Sequence, residues 1–405
     1  MATSEQIIEQ ALDAGKGVVR LAPAWVPRSF CVPGRRLRLH THDLYALGAN
    51  RGGIDERWFS STTHADNGPL TPGDEGLSYI YVDDDNKATL KEAIEQRGAA
   101  FLGQKAMDTY GGWVMYSKFF DNMYPLPHHI HHSDEKAADV GAVGKPEAYF
   151  YPAQYNFALD SFPYTFFGLE PGTTQEQVAD CLRRWNDGDN EILSLSKAYR
   201  LQVDTGWYVK PGILHAPGTL CTYEPQRASD VFSMWQSLIA DYQVVDRALL
   251  VKDIPEDKHD DYDYMLSLLD WEANVDPSFK ETNFLLPKPA GDATAMEAEG
   301  YLQEWITYGS EWFSAKRLTI HPGRTVTIKD PAAYGMICIQ GAGTFGAHRV
   351  ASPVMIRFGQ MTEDEFFVTA QAAAEGVEIT NPSSTEPLVM LKHFNPGHPN
   401  VPSIS

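Results

Sequence analysis

The spacing of apolar residues changes period several times along the chain. Ile7, Ile8 and Leu12 share one face of a short helix over Glu5 to Gly15, which the glycine ends. Between Arg35 and Phe59, Leu37 with Leu39 and Leu44 with Ala46 alternate, and Gly48, Gly52 and Gly53 interrupt them, so short strands joined by turns are expected. Asn86 to Gln96 predicts a surface helix. Aromatic and β-branched residues then mark strands over Trp113–Phe120, Ala148–Phe150 and Ser161–Phe167. From 173 to 185 the period becomes helical: Thr173 and Glu176 form a capping box, and Val178, Cys181, Leu182 and Trp185 line one face. Alternation returns at Tyr199, Leu201 and Val203, a half-buried strand.

Residues 237–275 read as helical and acidic, with Tyr264, Leu268 and Trp271 on one face and Asp260, Asp261 and Asp263 near its start. After Pro287 and Pro289 strands dominate again, at Leu318–Ile320, Thr325–Ile328, Met336–Ile339, Val354–Phe358 and Leu388–Leu391. The expected architecture is all-β with helical insertions: an N-terminal β domain (1–236), an acidic helical insert or linker (237–289) and a C-terminal β domain (290–405), each a β-barrel or jelly roll.

Composition narrows the function classes. The 405 residues carry 54 acidic against 33 basic side chains, a formal charge of −21, which repels nucleic-acid backbones and anionic membranes. Neither is expected as a partner, and no run approaches a membrane span. Cys31, Cys181, Cys221 and Cys338 lie far apart, without a C-x-x-C pair. The first ten residues lack a basic start followed by an apolar stretch. A cytoplasmic protein is expected.

The chemistry concentrates in Pro127-His128-His129-Ile130-His131-His132, four of thirteen histidines in five positions. On an extended segment residues two apart share a face, so His129 with His131, or a mixed pair, can grip one ion. Neutral imidazoles suit zinc and other first-row metals. Glu147 follows in Gly144-Lys145-Pro146-Glu147, and His215 in Pro211-Gly212-Ile213-Leu214-His215-Ala216. Eight aromatic residues, Trp207 among them, flank these strands and read mostly as barrel filling, with one or two able to stack on a sugar.

H-x-H, a later glutamate and P-G-x-x-H is the ligand order of cupins, and the resemblance narrows to type I phosphomannose isomerases. It is carried by His129-Ile130-His131-His132 running on to Ala137, Gly144-Lys145-Pro146-Glu147, Phe167-Gly168-Leu169-Glu170-Pro171-Gly172, the His215 segment, Ser229-Asp230 and the earlier Ile54-Asp55-Glu56-Arg57-Trp58. These motifs span residues 35–236 in the family's order. The resemblance implies a double cupin, with a metal on His129, His131, Glu147 and His215 and a second cupin, degenerate and without metal. Three positions depart from the family. His129 stands where the family has a glutamine ligand, His132 replaces a proline, and Met234 occupies the place of the arginine in the family's Y-R pair. Methionine can neither donate a hydrogen bond nor carry charge.

The resemblance thus implies a metal-dependent aldose–ketose isomerase working through a cis-enediol, with one divalent ion, zinc first and Mn, Fe or Ni compatible. Lys145, Arg227 and, as general base, Glu224 are the catalytic candidates. Lys136, Lys145 and Trp207 are the candidates for binding a small sugar or sugar phosphate. The departure at Met234 favours an altered, unphosphorylated substrate. The alternatives are a non-catalytic sugar-binding bicupin and another metal-dependent cupin enzyme, an oxygenase or lyase. A homodimer is compatible with all three.

Overall fold

A computed structural model describes residues 2–83, 85–157, 162–239 and 242–404. Two pairs of antiparallel sheets organise the chain. In the first pair, a seven-stranded sheet runs in the order Phe284–Leu285, Gly206–Val209, Glu147–Phe150, Thr222–Arg227, Met115–Phe120, Gly53–Phe59 and Ala24–Arg28. It faces a five-stranded sheet in the order Ser196–Arg200, Tyr164–Leu169, His215–Ala216, His129–Ile130 and Ser233–Met234.

The second pair is built chiefly from the last third of the chain. Its nine-stranded sheet contains Tyr301–Thr307, Ser314–Ile320, Leu388–Phe394, Tyr334–Gln340 and Glu365–Val368, extended by the N-terminal strand Val18–Ala22 and by Tyr79–Asp83 and Asn86–Thr89. A four-stranded sheet of Thr325–Ile328, Val377–Thr380, Ala342–Phe345 and His348–Ala351 completes it. This is the expected all-β, double-barrel architecture with helical insertions.

Alternation explains why the seven-stranded sheet is buried on both faces. Along Gly53–Phe59, Glu56 lines a cavity between the two sheets of the first pair. Arg57 and Phe59 point the other way, toward the second pair. There Arg57 donates to both carboxylate oxygens of Asp364 at 2.8 Å and to Glu365 at 3.2 Å. Phe59, Phe119 and Tyr223 join Ile306, Ile337 and Leu391 in one apolar core between the halves, and the Tyr223 hydroxyl meets His393 Nδ1 at 2.9 Å.

The outer face of the five-stranded sheet is covered by the helix Gln175–Arg183 and the acidic segment. Val178, Cys181, Leu182 and Trp185 pack with Leu250, Met265 and Leu268 over Ile130 and Leu214. His129, His131 and His215 alternate with these residues and so face inward.

Several elements differ from expectation. Asn86–Thr89 is an edge strand, and the helix begins at Leu90, where Thr89 and Glu92 form the capping box. The later box uses Thr174 with Gln177, one residue on, because two adjacent threonines each have a suitable partner three positions away. Only Gly53–Phe59 is a strand within 35–59; the rest winds through single turns at Thr41–Asp43 and Ala49–Arg51. The strand expected at Ser161–Phe167 is Tyr164–Leu169, and Ser161 itself lies outside the described residues. The later alternating strand is Ser196–Arg200, with buried Leu201 and exposed Val203 just beyond its end. Val354–Phe358 forms no strand: Pro353 and Gly359 bracket it, and Val354 is 92% exposed. Among the described residues the acidic segment's α-helices are five residues long, Tyr262–Leu266 and Trp271–Val275 among them, beside single 3-10 turns at Arg247–Leu249 and Glu256–Lys258. No helix among the described residues is long and apolar enough to cross a membrane.

Candidate metal centre

Strand pairing brings the histidines together. His215 pairs directly with His129, and Met234 lies across from His129 on its other side. The ligand-capable atoms of His129, His131 and His215 all lie within 4.8 Å of one another. Glu147 comes from the facing sheet, where it pairs with Val209 and Gln226. Its carboxylate reaches His131 Nε2 and His215 Nε2, both at 3.0 Å.

Each of the three imidazoles has its Nδ1 against a backbone carbonyl: His129 on Pro127 at 2.7 Å, His131 on Val231 at 2.8 Å and His215 on Ile213 at 2.7 Å. A carbonyl only accepts, so each Nδ1 carries a hydrogen and each ring turns its Nε2 away from that carbonyl. Burial, with its neighbours Lys145 and His215, brings His131 down to about 3. Burial and the two other histidines likewise hold His129 well below its ordinary value. Both rings are therefore neutral near pH 7.

This arrangement is a test of whether a cation fits. The buried His215 Nε2 has no hydrogen-bond partner, although a Glu147 oxygen stands 3.0 Å away. A nitrogen and a carboxylate oxygen that close call for positive charge between them, a proton or a cation. At His131 a side-chain cation, Lys145 Nζ, stands at 3.0 Å; among the described residues His215 Nε2 has no such partner. Three inward Nε2 atoms and a carboxylate, each ring fixed through its other nitrogen, match the donor set and the outer hydrogen bonding of a zinc-type site.

The remaining histidines of the cluster turn elsewhere. His128 Nε2 contacts Ser196 Oγ at 2.5 Å beside Phe166. His132 is buried with both ring nitrogens unpaired.

Around the histidines a cavity of about 430 Å³, counted with its opening, is lined by Arg28, Glu56, Lys118, Lys145, Glu224, Asp230 and Met234, among others. Lys145 Nζ lies 3.1 Å from Glu147 and 3.8 Å from Glu224; Lys118 Nζ lies 3.4 Å from Glu224 and 3.2 Å from Glu56. Arg28 donates to Glu56 at 3.2 Å and to both oxygens of Asp230, at 3.1 and 3.2 Å. The result is a run of alternating charges inside a low-dielectric space.

The four acids of this run titrate differently. Burial works against the charge of Glu147, yet Lys145 and the neighbouring histidines hold it well below the usual carboxylate range. Burial and the adjacent Glu147 charge push Glu224 well above that range, despite Lys118 and Lys145. Glu56 comes down to about 2, with Arg28 and Lys118 outweighing its burial. Asp230 is also depressed, chiefly by Arg28 and Lys252 against burial.

Of the residues expected at the site, His129, His131, Glu147, His215, Lys145 and Glu224 lie together. Three do not line the cavity. Arg227 donates to Asp134 at 2.5 Å and stacks 3.5 Å over the Trp312 ring. Lys136 sits over Tyr264, on the helix Asp134–Ala138. Trp207 is buried among Phe167, Tyr199, Phe279 and Phe284. Sequence reading missed Arg28, Lys118, Glu56 and Asp230 as cavity residues. Glu56 and Asp230 stood inside quoted motifs, whereas Arg28 and Lys118 carried no local signal beyond their place in strands.

No family model matches the chain, and no curated protein matches it in sequence. Among solved structures it is similar to a putative mannosephosphate isomerase from Archaeoglobus fulgidus, at 14% identity and TM-score 0.61, over 94% of this chain and 98% of the other. It is also similar to the mannose 6-phosphate isomerase of Bacillus subtilis, at 14% identity and TM-score 0.62, over 93% and 99%. A zinc-bound mannose 6-phosphate isomerase aligns at 12% identity and TM-score 0.61, over 94% and 100%. At such identities the likeness establishes a shared fold and nothing finer.

Proposed function

We propose that this chain is a metal-dependent aldose–ketose isomerase acting on a small sugar. The observation that carries the reading is the convergence of three ring-fixed, inward Nε2 lone pairs and the Glu147 carboxylate on one wall of a polar cavity. His129, His131, His215 and Glu147 would hold one divalent ion, zinc first, which when bound supplies Lewis-acid polarisation of a sugar oxygen. The likeness to structures titled mannose 6-phosphate isomerase supports the same class of chemistry.

The chain's own residues supply the proton transfer. Moving a hydrogen from C2 of an aldose to C1 of the ketose needs a base that takes the proton and returns it to the neighbouring carbon, through a cis-enediol. Glu224 is the candidate: burial and the Glu147 charge raise its proton affinity, and a cation held by Glu147 would offset that charge and, with Lys118 and Lys145 beside it, favour its ionised, base form. Lys145 supplies a donor beside the reacting oxygens. It now donates to His131 Nε2; an ion on that nitrogen would redirect one Lys145 N–H to a sugar oxygen, while Glu147, 3.1 Å from Nζ, stays its carboxylate partner.

The experiment is metal analysis of protein purified without added metal, followed by screening of aldoses in D2O for isomerisation with deuterium entering at the proton-transfer carbons. Glu224→Gln should retain its metal and lose at least ~100-fold in turnover. Metal-loaded protein that neither isomerises nor exchanges any sugar would remove the proposal, and oxygen consumption with Fe(II) would replace it by the oxygenase reading.

A further inference from the structure

The isomerase reading leaves open whether the sugar carries a phosphate, and the charges of the cavity bear on that question. Its cations are Arg28, Lys118 and Lys145; its acids are Glu56, Glu147, Glu224 and Asp230. Six are buried, and Asp230 is half-buried.

Each cation is already committed. Arg28 directs its terminal nitrogens to Asn67 at 2.8 Å, to Asp230 and to Glu56. Lys118 lies between Glu56 and Glu224, and Lys145 among Glu147, His131 and Glu224. A phosphate monoester, at ~−1.5 to −2 near neutral pH, normally demands free arginine or lysine donors. Among the described residues lining this cavity, no cation stands without a carboxylate beside it.

The spare capacity lies on the acceptor side. A carboxylate offers about four acceptor positions. Among the described residues Glu224 Oε1 is a buried atom without a hydrogen bond, with Lys118 Nζ 3.4 Å away. Glu56 uses three, from Arg28, Lys118 and the Trp58 indole at 2.7 Å. Asp230 also uses three, two from Arg28 and one from the Asp66 backbone N–H at 3.2 Å. Carboxylate oxygens with free lone pairs recognise hydroxyl donors, and hydroxyls are what an unmodified sugar presents on most of its carbons.

Asp230 also lines a surface depression adjoining the cavity, together with Asp66, Lys252 and Asp253. Its lysine is held by Asp66 at 3.1 Å and by Asp253 at 2.9 Å. This surface too carries more negative than positive groups. An ion on the histidines would add positive charge where the reacting oxygens belong, and the rest of the substrate would still meet Glu56 and Asp230.

We infer that the cavity selects an uncharged polyhydroxy sugar and rejects its phosphate ester, with Asp230 and Glu56 accepting hydrogen bonds from substrate hydroxyls. This rests on the isomerase reading for the reaction but not for the selectivity, which binding alone can test.

The test uses the full-length protein loaded with zinc. Calorimetric titration with free mannose, fructose and xylose is compared with titration by mannose 6-phosphate and fructose 6-phosphate, and turnover of the same compounds is measured alongside. At least one free sugar is expected to bind, and to be turned over in kcat/KM, at least tenfold better than either phosphate. Asp230→Asn keeps the shape but removes one negative charge; it should weaken the free sugar severalfold and narrow the discrimination against the phosphates. Tighter binding of a phosphate than of every free sugar would overturn the inference, as would the absence of binding by all five compounds. Binding of free sugars without turnover would remove the isomerase reading and leave the selectivity standing.

Discussion

Tyr149 offers a sharp test of how the metal centre is held. It lies two residues beyond Glu147 on the same strand, so the two side chains share a face, and its hydroxyl donates to Glu147 Oε1. Tyr149→Phe removes only that donor. The ring itself stays packed edge-on to Phe120 at 5.9 Å and stacked on Phe167 at 6.0 Å, so the fold should be retained. Two routes give the magnitude. A hydrogen bond to a charged group is worth ~1.5–3 kcal/mol, and losing an outer partner of a metal ligand costs ~10–100-fold in affinity, which is ~1.4–2.7 kcal/mol. They agree, so zinc should bind ~10–100-fold more weakly. Competition against a chromophoric chelator measures it, with thermal unfolding in chelator as the control for folding. An affinity within threefold of wild type would mean that Glu147 is not a ligand or that Tyr149 does not hold it.

Three further outcomes follow from the same structure. His128→Gln should leave metal content unchanged, because His128 faces Ser196, whereas His129→Ala should empty the site; metal analysis of the two variants giving the reverse would shift the strand register by one. Gly218→Ala places a Cβ 1.6 Å from the Tyr164 carbonyl oxygen, a backbone atom unable to yield, so stability should fall by at least ~1–3 kcal/mol in urea unfolding; an unchanged midpoint would contradict the packing. His393, buried so deeply that its pKa drops to about 3, stays neutral when folded and takes up a proton on unfolding below ~6.5. Its contribution is therefore whole above that value and is lost as pH falls toward 3, by ~2–3 kcal/mol at pH 4.5. His393→Gln should flatten that part of the stability profile, and an identical slope in the variant would refute the assignment.

The fold was legible because a half-buried strand and a barrel wall impose period two. His129, Ile130 and His131 show why the site was legible with it: the apolar residue between the histidines packs outward on Leu214 and the Val178 helix, which turns both neighbours inward. What failed to show was anything set by distant contacts. The acidic segment scored as helix by spacing, yet Leu250, Met265 and Leu268 are placed by the sheet they cover, and single turns suffice for that. Arg227 reads from the sequence as a cation able to stand in for the arginine that Met234 replaces. It ends a strand at the sheet margin, where Asp134 and Trp312 capture it.

The cavity cations escaped notice for a related reason: their meaning is pairwise. Lys118 differs from any lysine on a strand only in facing Glu56 and Glu224 across the sheet, and Arg28 only in meeting Asp230 from a strand some two hundred positions earlier. Met234, by contrast, is informative alone. It lies opposite His129 and lines the cavity, so an apolar thioether occupies a wall where a cation would have been free of the existing pairs. With every remaining cation paired to an acid, the wall offers van der Waals contact to a sugar's carbon face instead of charge to an anion. Under the selectivity proposed above, the methionine and the carboxylates would act together, the first on a sugar's carbon face and the second on its hydroxyl groups.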